Sequence, residues 1–391
     1  MRKLFKMNLI SIMSYASLSP LGSTKVDVWK NYMDQNHFLK SYSFENVSGL
    51  AGGLSEEDRE ELREIILENP KYTSLDTSVL MGVYVSRNAI KKAGWGGESN
   101  FGINIGSSRG ATELFEKFYD DFKENSLGKT HPLTSPTTTL GNLSTWVADD
   151  LQSTGPIISH SITCSTGLHA VLNGIAWINS GMSTKFLVGA TEAPNTAFTI
   201  AQMQALKIYS DGSGAYPCRS LDLKKTRNTM CLGEGAAVFC LEKGEHENAI
   251  AYIESVGYAT EKLKHNISIT SDAECFQDSM NRALENAKGD IDVVVMHAPG
   301  TLKGDSSEYN AIKKVFKNDT PCITSNKWKI GHTLGASGTL SMELGLLMME
   351  YQQFIGIPYL PELKTPKKID RVLVNAVGFG GNAVSIVLRR K

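Results

Sequence analysis

Blocks of apolar residues alternate with polar turns along the chain, and their lengths predict alternating strands and helices. Residues 290–296 form a short apolar run with a β-branched centre, which predicts a buried strand. Residues 56–68 show an acidic first turn and an amphipathic pattern, which predicts a helix with Ser55 as its N-cap. A further pattern predicts a helix over residues 77–93, ended by Gly94. Such alternation favours an α/β fold.

The N-terminal region contains an apolar run that begins near Met7. Together with the charged residues before it, the run imitates a signal peptide, but it is short and is interrupted by Asn8 and Ser11. We therefore interpret it as the first core strand, with Met1 and Met7 as alternative starts. No stretch reaches the roughly 18 consecutive apolar residues that a membrane span needs.

A weak internal repeat relates the two parts of the chain. Residues 185–190 resemble residues 371–376, and residues 235–241 resemble residues 382–388. The repeat predicts two similar halves.

The predicted halves are residues 1–243 and residues 244–391, and each contains a polar turn that feeds a long helix. The turn of the first half carries Cys164, and the turn of the second half carries His332. A pseudo-twofold relation between the halves would bring these equivalent turns towards one site. The first half also contains a long excursion, residues 191–233, which by its length is expected to serve as a functional, cap or dimer segment.

Composition and charge narrow the function classes. The 391 residues are 41% hydrophobic, include 35 glycines and carry a formal net charge of −1. Without a surplus of basic residues, the chain is not typical of nucleic-acid-binding proteins. The six cysteines form no CxxC pair and no zinc-like Cys/His spacing, so neither disulfides nor a metal site is predicted. These features are typical of a soluble cytoplasmic enzyme.

Cys164 lies between an apolar stretch, residues 156–158, and a small-residue turn that opens an apolar helix over residues 168–179. A cysteine at a strand-to-helix junction faces exposed amides and the positive end of the helix dipole, which stabilise a thiolate. The alternative is a buried structural cysteine, since free cysteines are usually buried. The flanking glycine and hydroxyl residues and two histidine motifs further on favour a nucleophile.

Several motifs follow one another in a characteristic order. They are Ile162-Thr163-Cys164-Ser165-Thr166-Gly167, His297-Ala298-Pro299-Gly300-Thr301 with Glu308, Lys327 five residues before His332, and Gly378-Phe379-Gly380-Gly381. Their order and spacing resemble those of the β-ketoacyl-acyl-carrier-protein synthases, and within this part of the thiolase superfamily the chain is similar to the elongating Cys-His-His type. The resemblance runs nearly from end to end of the chain.

The resemblance implies a thiolase fold, in which two similar βα halves form a layered α-β-α-β-α arrangement. It also implies acyl carrier protein as a partner, and a homodimer or a heterodimer with a related chain. The implied reaction is decarboxylative Claisen condensation of an acyl thioester with malonyl-acyl carrier protein. No cofactor is implied, because the substrates are carried on the phosphopantetheine of the carrier protein.

The resemblance assigns the acyl group to Cys164, which would hold it as a thioester. The backbone amides of Cys164 and Phe379 would form the oxyanion hole for the tetrahedral intermediate. The side chain of Phe379 would gate the acyl pocket, with simple core packing as the alternative.

The resemblance also assigns the second half-reaction. His297 and His332, as neutral imidazoles, would donate hydrogen bonds to the enolate that decarboxylation leaves. Lys327 and Glu308 would form an ion pair that holds the histidines, and Thr301 would bind the pantetheine arm.

Several positions depart from the family's pattern. After the final glycine turn, Asn382-Ala383 stands where Thr-Asn or a similar pair is usual. Ala298 and Pro299 stand where a Gly-Thr pair is expected, so one of two pantetheine-binding threonines is absent. This departure leaves fatty-acid, polyketide and aryl-polyene elongation open as pathways.

Three alternatives to an elongating enzyme remain. A non-catalytic chain-length-factor-like subunit of a ketosynthase heterodimer would characteristically lack the cysteine that Cys164 supplies. A different Cys-His enzyme, either a thiolase or a thioester hydrolase, is the second alternative. A degradative thiolase would carry a C-terminal Cys-x-Gly, which is absent. An initiating synthase would offer Asn in place of His332.

Two basic groups, residues 224–227 and 364–371, either dock an acidic carrier or form a solvated charged face.

Overall fold

The computed structural model describes residues 8–262 and 269–391, so both alternative start residues lie outside the described residues. The strands are β1 (Ile10–Leu18), β2 (Leu39–Ser43), β3 (Ser48–Gly52), β4 (Gly102–Gly106), β5 (Ile157–Ile158), β6 (Lys185–Glu192), β7 (Leu232–Gly233), β8 (Gly235–Lys243), β9 (Ala251–Thr260), β10 (Val293–Val295), β11 (Cys322–Thr324), β12 (Arg371–Gly378) and β13 (Asn382–Arg390). The α-helices are α1 (Lys25–Met33), α2 (Glu56–Glu68), α3 (Thr77–Ala93), α4 (Thr112–Glu124), α5 (Thr134–Thr138), α6 (Asn142–Leu151), α7 (Thr166–Ser180), α8 (Ala197–Ala205), α9 (Glu274–Leu284), α10 (Leu302–Phe316), α11 (Lys327–Ile330) and α12 (Ser337–Tyr351).

One large sheet contains two half-sheets with equivalent strand orders. The first half-sheet runs β1-β8-β6-β4-β5, and the second runs β9-β13-β12-β10-β11. Residues 10–12 of β1 pair antiparallel with residues 251–253 of β9 and so join the two half-sheets. The repeated segments predicted from the sequence are the equivalent pairs β6 with β12 and β8 with β13. The two similar halves are therefore present. A separate small sheet contains β2, β3 and β7.

Two helices lie between the half-sheets and give the fold its layers. Helix α7 packs on β6 and also on β13, and α12 packs on β12 and also on β8. Residues 337–349 of α12 are buried all round, as expected for a helix enclosed by two sheets. Helix α3 covers the outer face of the first half-sheet and α9 that of the second. The predicted thiolase fold with α-β-α-β-α layering is confirmed.

Local sequence signals match the element boundaries. The Ser55 hydroxyl accepts a hydrogen bond from the Asp58 amide at 3.0 Å and caps α2. Gly94 is the C-cap of helix α3, and its φ of 73° lies in the left-handed region that favours glycine. Strand β10 covers three residues, fewer than the predicted run 290–296, and it pairs parallel with β11 and with β12 over these three residues. Among the described residues, the structure contains no helix with the length and apolar character that crossing a membrane requires.

Lys329 is a buried cation that fastens the end of α1 to the segment before His332. Its Nζ donates to the backbone carbonyls of Asn31 at 2.7 Å, Asp34 at 2.5 Å and Asn36 at 2.8 Å. These acceptors offset the cost of burying the charge.

We expect Lys329→Met to lower the free energy of unfolding by about 3 kcal/mol, because three carbonyls lose a charged donor. Urea unfolding followed by circular dichroism measures this change. Lys25→Met is the matched control, since Lys25 forms an exposed ion pair with Glu350 at 2.6 Å. The control should change stability by less than about 0.5 kcal/mol. Equal losses in both variants would contradict the stabilising role of Lys329.

Candidate active site

A cavity of about 400 Å³ brings Cys164, His297 and His332 into one wall. Thr301 and Phe379 line the same cavity. The cavity therefore combines residues of both halves, as the relation between the two polar turns predicts.

Cys164 lies in a tight turn directly before α7. Thr163 has a φ of 47°, in the left-handed region that β-branched residues rarely adopt. The Thr166 hydroxyl holds this turn, because it donates to the Thr163 carbonyl at 2.6 Å and accepts from the Ile162 amide at 2.9 Å. The strained backbone thus fixes the position of the cysteine.

The start of α7 contacts the polar turn that carries His332. A Cβ atom on Gly167 would lie 2.9 Å from the Gly335 carbonyl oxygen, so only glycine permits this approach. The Ser337 hydroxyl donates to the Cys164 carbonyl at 3.4 Å. The two equivalent turns are therefore in direct contact.

The glycine turn after β12 closes over the nucleophile. A Cβ atom on Gly378 would lie 1.8 Å from Thr163 Oγ1, which places this turn against the cysteine turn. The Phe379 side chain is 41% exposed, so the core-packing alternative is wrong. Phe379 instead lines the cavity.

Glu308 holds the backbone of His297. Its Oε1 accepts from the His297 amide at 2.9 Å and its Oε2 accepts from the Ala298 amide at 2.8 Å. Asn375 Nδ2 donates to Oε1 at 3.2 Å. Among the described residues, Nζ of Lys327 forms no hydrogen bond. The charges of Lys327 and Glu308 interact through space, since each favours the charged form of the other. Their predicted role as an ion pair that holds the histidines stays a prediction.

The two histidines are neutral. Their ring centroids are 5.1 Å apart with planes at 86°. Burial and then the positive charge of Lys327 lower the pKa of His297 well below its usual value and that of His332 to about 3. Within residues 8–262 and 269–391, no group hydrogen-bonds Nζ of Lys327 or Nδ1 of either ring. Neutral imidazoles are the state that the sequence reasoning predicts.

The resting state of Cys164 differs from the prediction. Burial, followed by the negative charge of Glu192, raises the pKa of the Cys164 thiol to about 12. Burial outweighs the helix terminus, so the predicted thiolate is wrong for the free protein and the residue is a thiol.

Glu192 is a buried carboxyl behind the cysteine. Its Oε1 accepts from the Gly335 amide at 3.2 Å and from the Ser108 amide. Burial raises the pKa of Glu192 to about 8, so the group is mostly protonated at neutral pH.

We expect Glu192→Gln to speed iodoacetamide alkylation of Cys164 at pH 9 and not at pH 6. At pH 9 the native Glu192 is charged and opposes the thiolate, whereas at pH 6 it is protonated in the native protein. The alkylation rate should rise about tenfold for each unit by which the pKa of the thiol falls. Peptide mass spectrometry measures the rate at Cys164, and equal rates at pH 9 would contradict this coupling.

Several cavity residues were not singled out from the sequence. They are Ser108, Arg109, Met203, Ile208, Asn228, Met230, Ile269 and Leu334. The available signals were the polar turn after β4, at the sheet edge where ligands usually bind, and the long excursion 191–233. That excursion supplies Met203, Ile208, Asn228 and Met230 to the cavity wall.

Not every member of the basic group 224–227 is exposed for carrier docking. The side chain of Lys225 is buried, and its Nζ lies 2.6 Å from Oδ2 of the buried Asp305. Lys225 therefore neither docks a carrier nor belongs to a solvated charged face, because it forms an internal ion pair.

Family models match most of the chain. Residues 7–247 match the model described as the N-terminal domain of beta-ketoacyl synthase, and residues 250–358 match the model of its C-terminal domain.

Curated relatives and solved structures agree with these matches. The chain is 27% identical to 3-oxoacyl-acyl-carrier-protein synthase 2 of Coxiella burnetii over 95% of this chain and 96% of the relative. It is 28% identical to the ketoacyl synthase alpha subunit of the tetracenomycin polyketide synthase of Streptomyces glaucescens, over 81% of this chain and 82% of that protein. A crystal structure of a beta-ketoacyl synthase from Burkholderia phymatum superposes with a TM-score of 0.82 at 23% identity, covering 98% of this chain and all (100%) of the other.

A chain from a type II polyketide synthase complex has the same fold. That complex contains an acyl-carrier protein with its ketosynthase bound to the hexaketide. The TM-score is 0.84 at 19% identity, over 98% of this chain and 100% of the other.

Proposed function

Because the chain belongs to the β-ketoacyl synthase family, we propose that it is an elongating β-ketoacyl-acyl-carrier-protein synthase, an acyltransferase that condenses an acyl thioester with malonyl-acyl carrier protein. The observation that carries the proposal is the convergence of Cys164, His297 and His332 on one cavity. A nucleophile and two neutral hydrogen-bond donors are what the two half-reactions need.

The first half-reaction transfers the acyl group to the protein. Sγ of Cys164 attacks the thioester carbonyl, and the pantetheine thiol of the carrier leaves. Because the resting cysteine is a thiol, it loses its proton as the carbon–sulfur bond forms, and the pantetheine sulfur takes up a proton as it leaves. No imidazolium has to form, which agrees with the lowered pKa values of His297 and His332. The amides of Cys164 and Phe379 would stabilise the oxyanion.

The second half-reaction forms the carbon–carbon bond. The malonyl carboxylate leaves as carbon dioxide, and the remaining enolate attacks the acyl carbon on Cys164. Hydrogen bonds from His297 and His332 would stabilise the enolate oxygen. The cysteine sulfur then leaves as a thiolate and takes up a proton, which its raised pKa favours. Burial, and then the positive charge of Lys327, keeps both rings neutral.

Thr301 is suited to hold the pantetheine arm. Its Oγ1 accepts from the Gly304 amide at 3.1 Å as the N-cap of α10, and its hydroxyl proton can still be donated to the cavity. Because only one threonine is present, we expect the pantetheine arm to bind more weakly than it would to a pair of threonines.

We propose acyl carrier protein and a second ketosynthase-like chain as partners. One structural neighbour contains a type II acyl-carrier protein with its ketosynthase, and another is a ketosynthase in complex with its chain length factor. The free thiols of the six cysteines suit the cytoplasm as its compartment.

A non-catalytic chain-length-factor-like subunit is the second candidate. A neighbour with a TM-score of 0.82 is a ketosynthase with its chain length factor. The assembled nucleophile, histidine pair and cavity favour the catalytic role.

Intact mass spectrometry distinguishes the two candidates. The purified protein is mixed with acyl-loaded and malonyl-loaded carrier protein, with saturated, unsaturated and aryl-primed chains. A catalytic subunit should gain the mass of the acyl group and release a β-ketoacyl carrier. No mass gain and no product with any chain would overturn the proposal.

A further inference from the structure

The cavity wall contains a guanidinium among mainly apolar side chains. Arg109 follows β4 and lines the same cavity as Cys164, together with the apolar side chains of Met203, Ile208 and Leu334. The amide of the preceding residue, Ser108, donates to Oε1 of Glu192, the carboxyl whose charge acts on the Cys164 thiol.

The hydrogen bonds of Arg109 use only part of its donor set. Its Nη2 donates to Thr199 Oγ1 at 3.3 Å and to Gln202 Oε1. Both acceptors belong to α8, so the helix aligns the guanidinium without neutralising it. In the part of the chain that the structure describes, no carboxylate forms an ion pair with Arg109. Nε and Nη1 are left to bind a ligand.

An acyl chain on Cys164 would share with this cation a cavity of only about 400 Å³. A saturated chain would displace water from the guanidinium and return no acceptor, which is costly for a charged group. A chain that carries a carbonyl or carboxylate oxygen would supply the missing acceptor, and a charge-assisted hydrogen bond would form. The wall therefore discriminates between chains of equal length by their oxygen content.

We propose that Arg109 is a specificity-determining residue that selects acyl chains carrying a carbonyl or carboxylate oxygen over saturated chains of equal length. This inference rests on the proposed function, because it concerns the acyl group bound to Cys164.

The test compares acylation of Cys164 by octanoyl, 3-oxooctanoyl and 7-carboxyheptanoyl thioesters of the carrier protein. Intact mass spectrometry gives the rate constant for each chain. The native protein should prefer at least one oxygenated chain by about tenfold or more, and Arg109→Leu should lose this preference while it accepts the octanoyl chain faster. The 3-oxo and carboxylate arms show which oxygen the guanidinium binds.

Two further variants keep the test informative. Arg109→Lys retains the charge without the planar fork and should keep part of the preference, which also covers the case that Arg109→Leu fails to fold. Arg63→Leu is the matched control, because it removes a guanidinium from an exposed ion pair with Glu56 at 2.7 Å. The control should keep the native preference.

Two outcomes would overturn the inference. One is a native protein that is acylated equally by all three chains. The other is an Arg109→Leu protein that changes oligomeric state in gel filtration and keeps the native preference, since Arg109 would then serve an interface. If acetyl and octanoyl carriers both fail to acylate Cys164 in the native protein, the proposed function itself fails.

Discussion

Cys164→Ala should abolish transfer of the acyl group to the protein. The alanine has no nucleophile to form the thioester, so the rate of acylation should fall by at least about 10³-fold. Intact mass spectrometry after incubation with acyl carrier measures the covalent adduct directly. Cys322→Ala is the matched control, because Cys322 is a partly buried free cysteine that does not line the cavity. An adduct that survives in Cys164→Ala and disappears in Cys322→Ala would place the nucleophile elsewhere.

Cys164→Gln should separate the two half-reactions. The amide occupies the position of the acyl thioester without reacting, while His297 and His332 remain in place. The variant should therefore release carbon dioxide from malonyl carrier without forming a β-ketoacyl product. Loss of both activities in a folded Cys164→Gln protein would contradict the division of labour between the cysteine and the histidines.

His332→Ala should slow malonyl decarboxylation by about 10²- to 10³-fold, the effect of removing one preorganised donor from a developing oxyanion. His297→Ala should have an effect of the same size for the same reason. Carbon dioxide release from malonyl carrier, measured with the Cys164→Gln background, isolates this step from acyl transfer.

His246→Ala is the control for these histidine variants, since His246 is partly exposed and lies outside the cavity. In the same background, its rate of decarboxylation should equal that of the Cys164→Gln protein without a histidine substitution. Unchanged decarboxylation in both His297→Ala and His332→Ala would show that the enolate is stabilised by other groups.

Local sequence patterns were sufficient to predict much of the fold. Helix α3 ends at the glycine that marks its end in the sequence, and Ser55 caps α2. The weak repeat identified two halves, because equivalent strands β6 and β12 keep the same apolar pattern in equivalent sheet positions. Such features depend on neighbours in the chain, so the chain alone reveals them.

The three main site residues were also accessible from the sequence. Cys164, His297 and His332 occur in motifs whose order resembles a known family, and they line one cavity. The motifs do not show how the supporting charges are arranged. Glu308 was expected to act through Lys327, and the structure shows that its oxygens also accept the backbone amides of His297 and Ala298.

Only the tertiary structure decided the protonation states of the site residues and the presence of a cation in the cavity wall. The local helix terminus favours a thiolate at Cys164, but burial among residues from distant segments raises its pKa and keeps the proton. Arg109 carries no motif, and it gains a role only because β4 ends beside the cavity. Both effects depend on desolvation and on charges that are far apart in the chain, and these arise only when the two halves pack together.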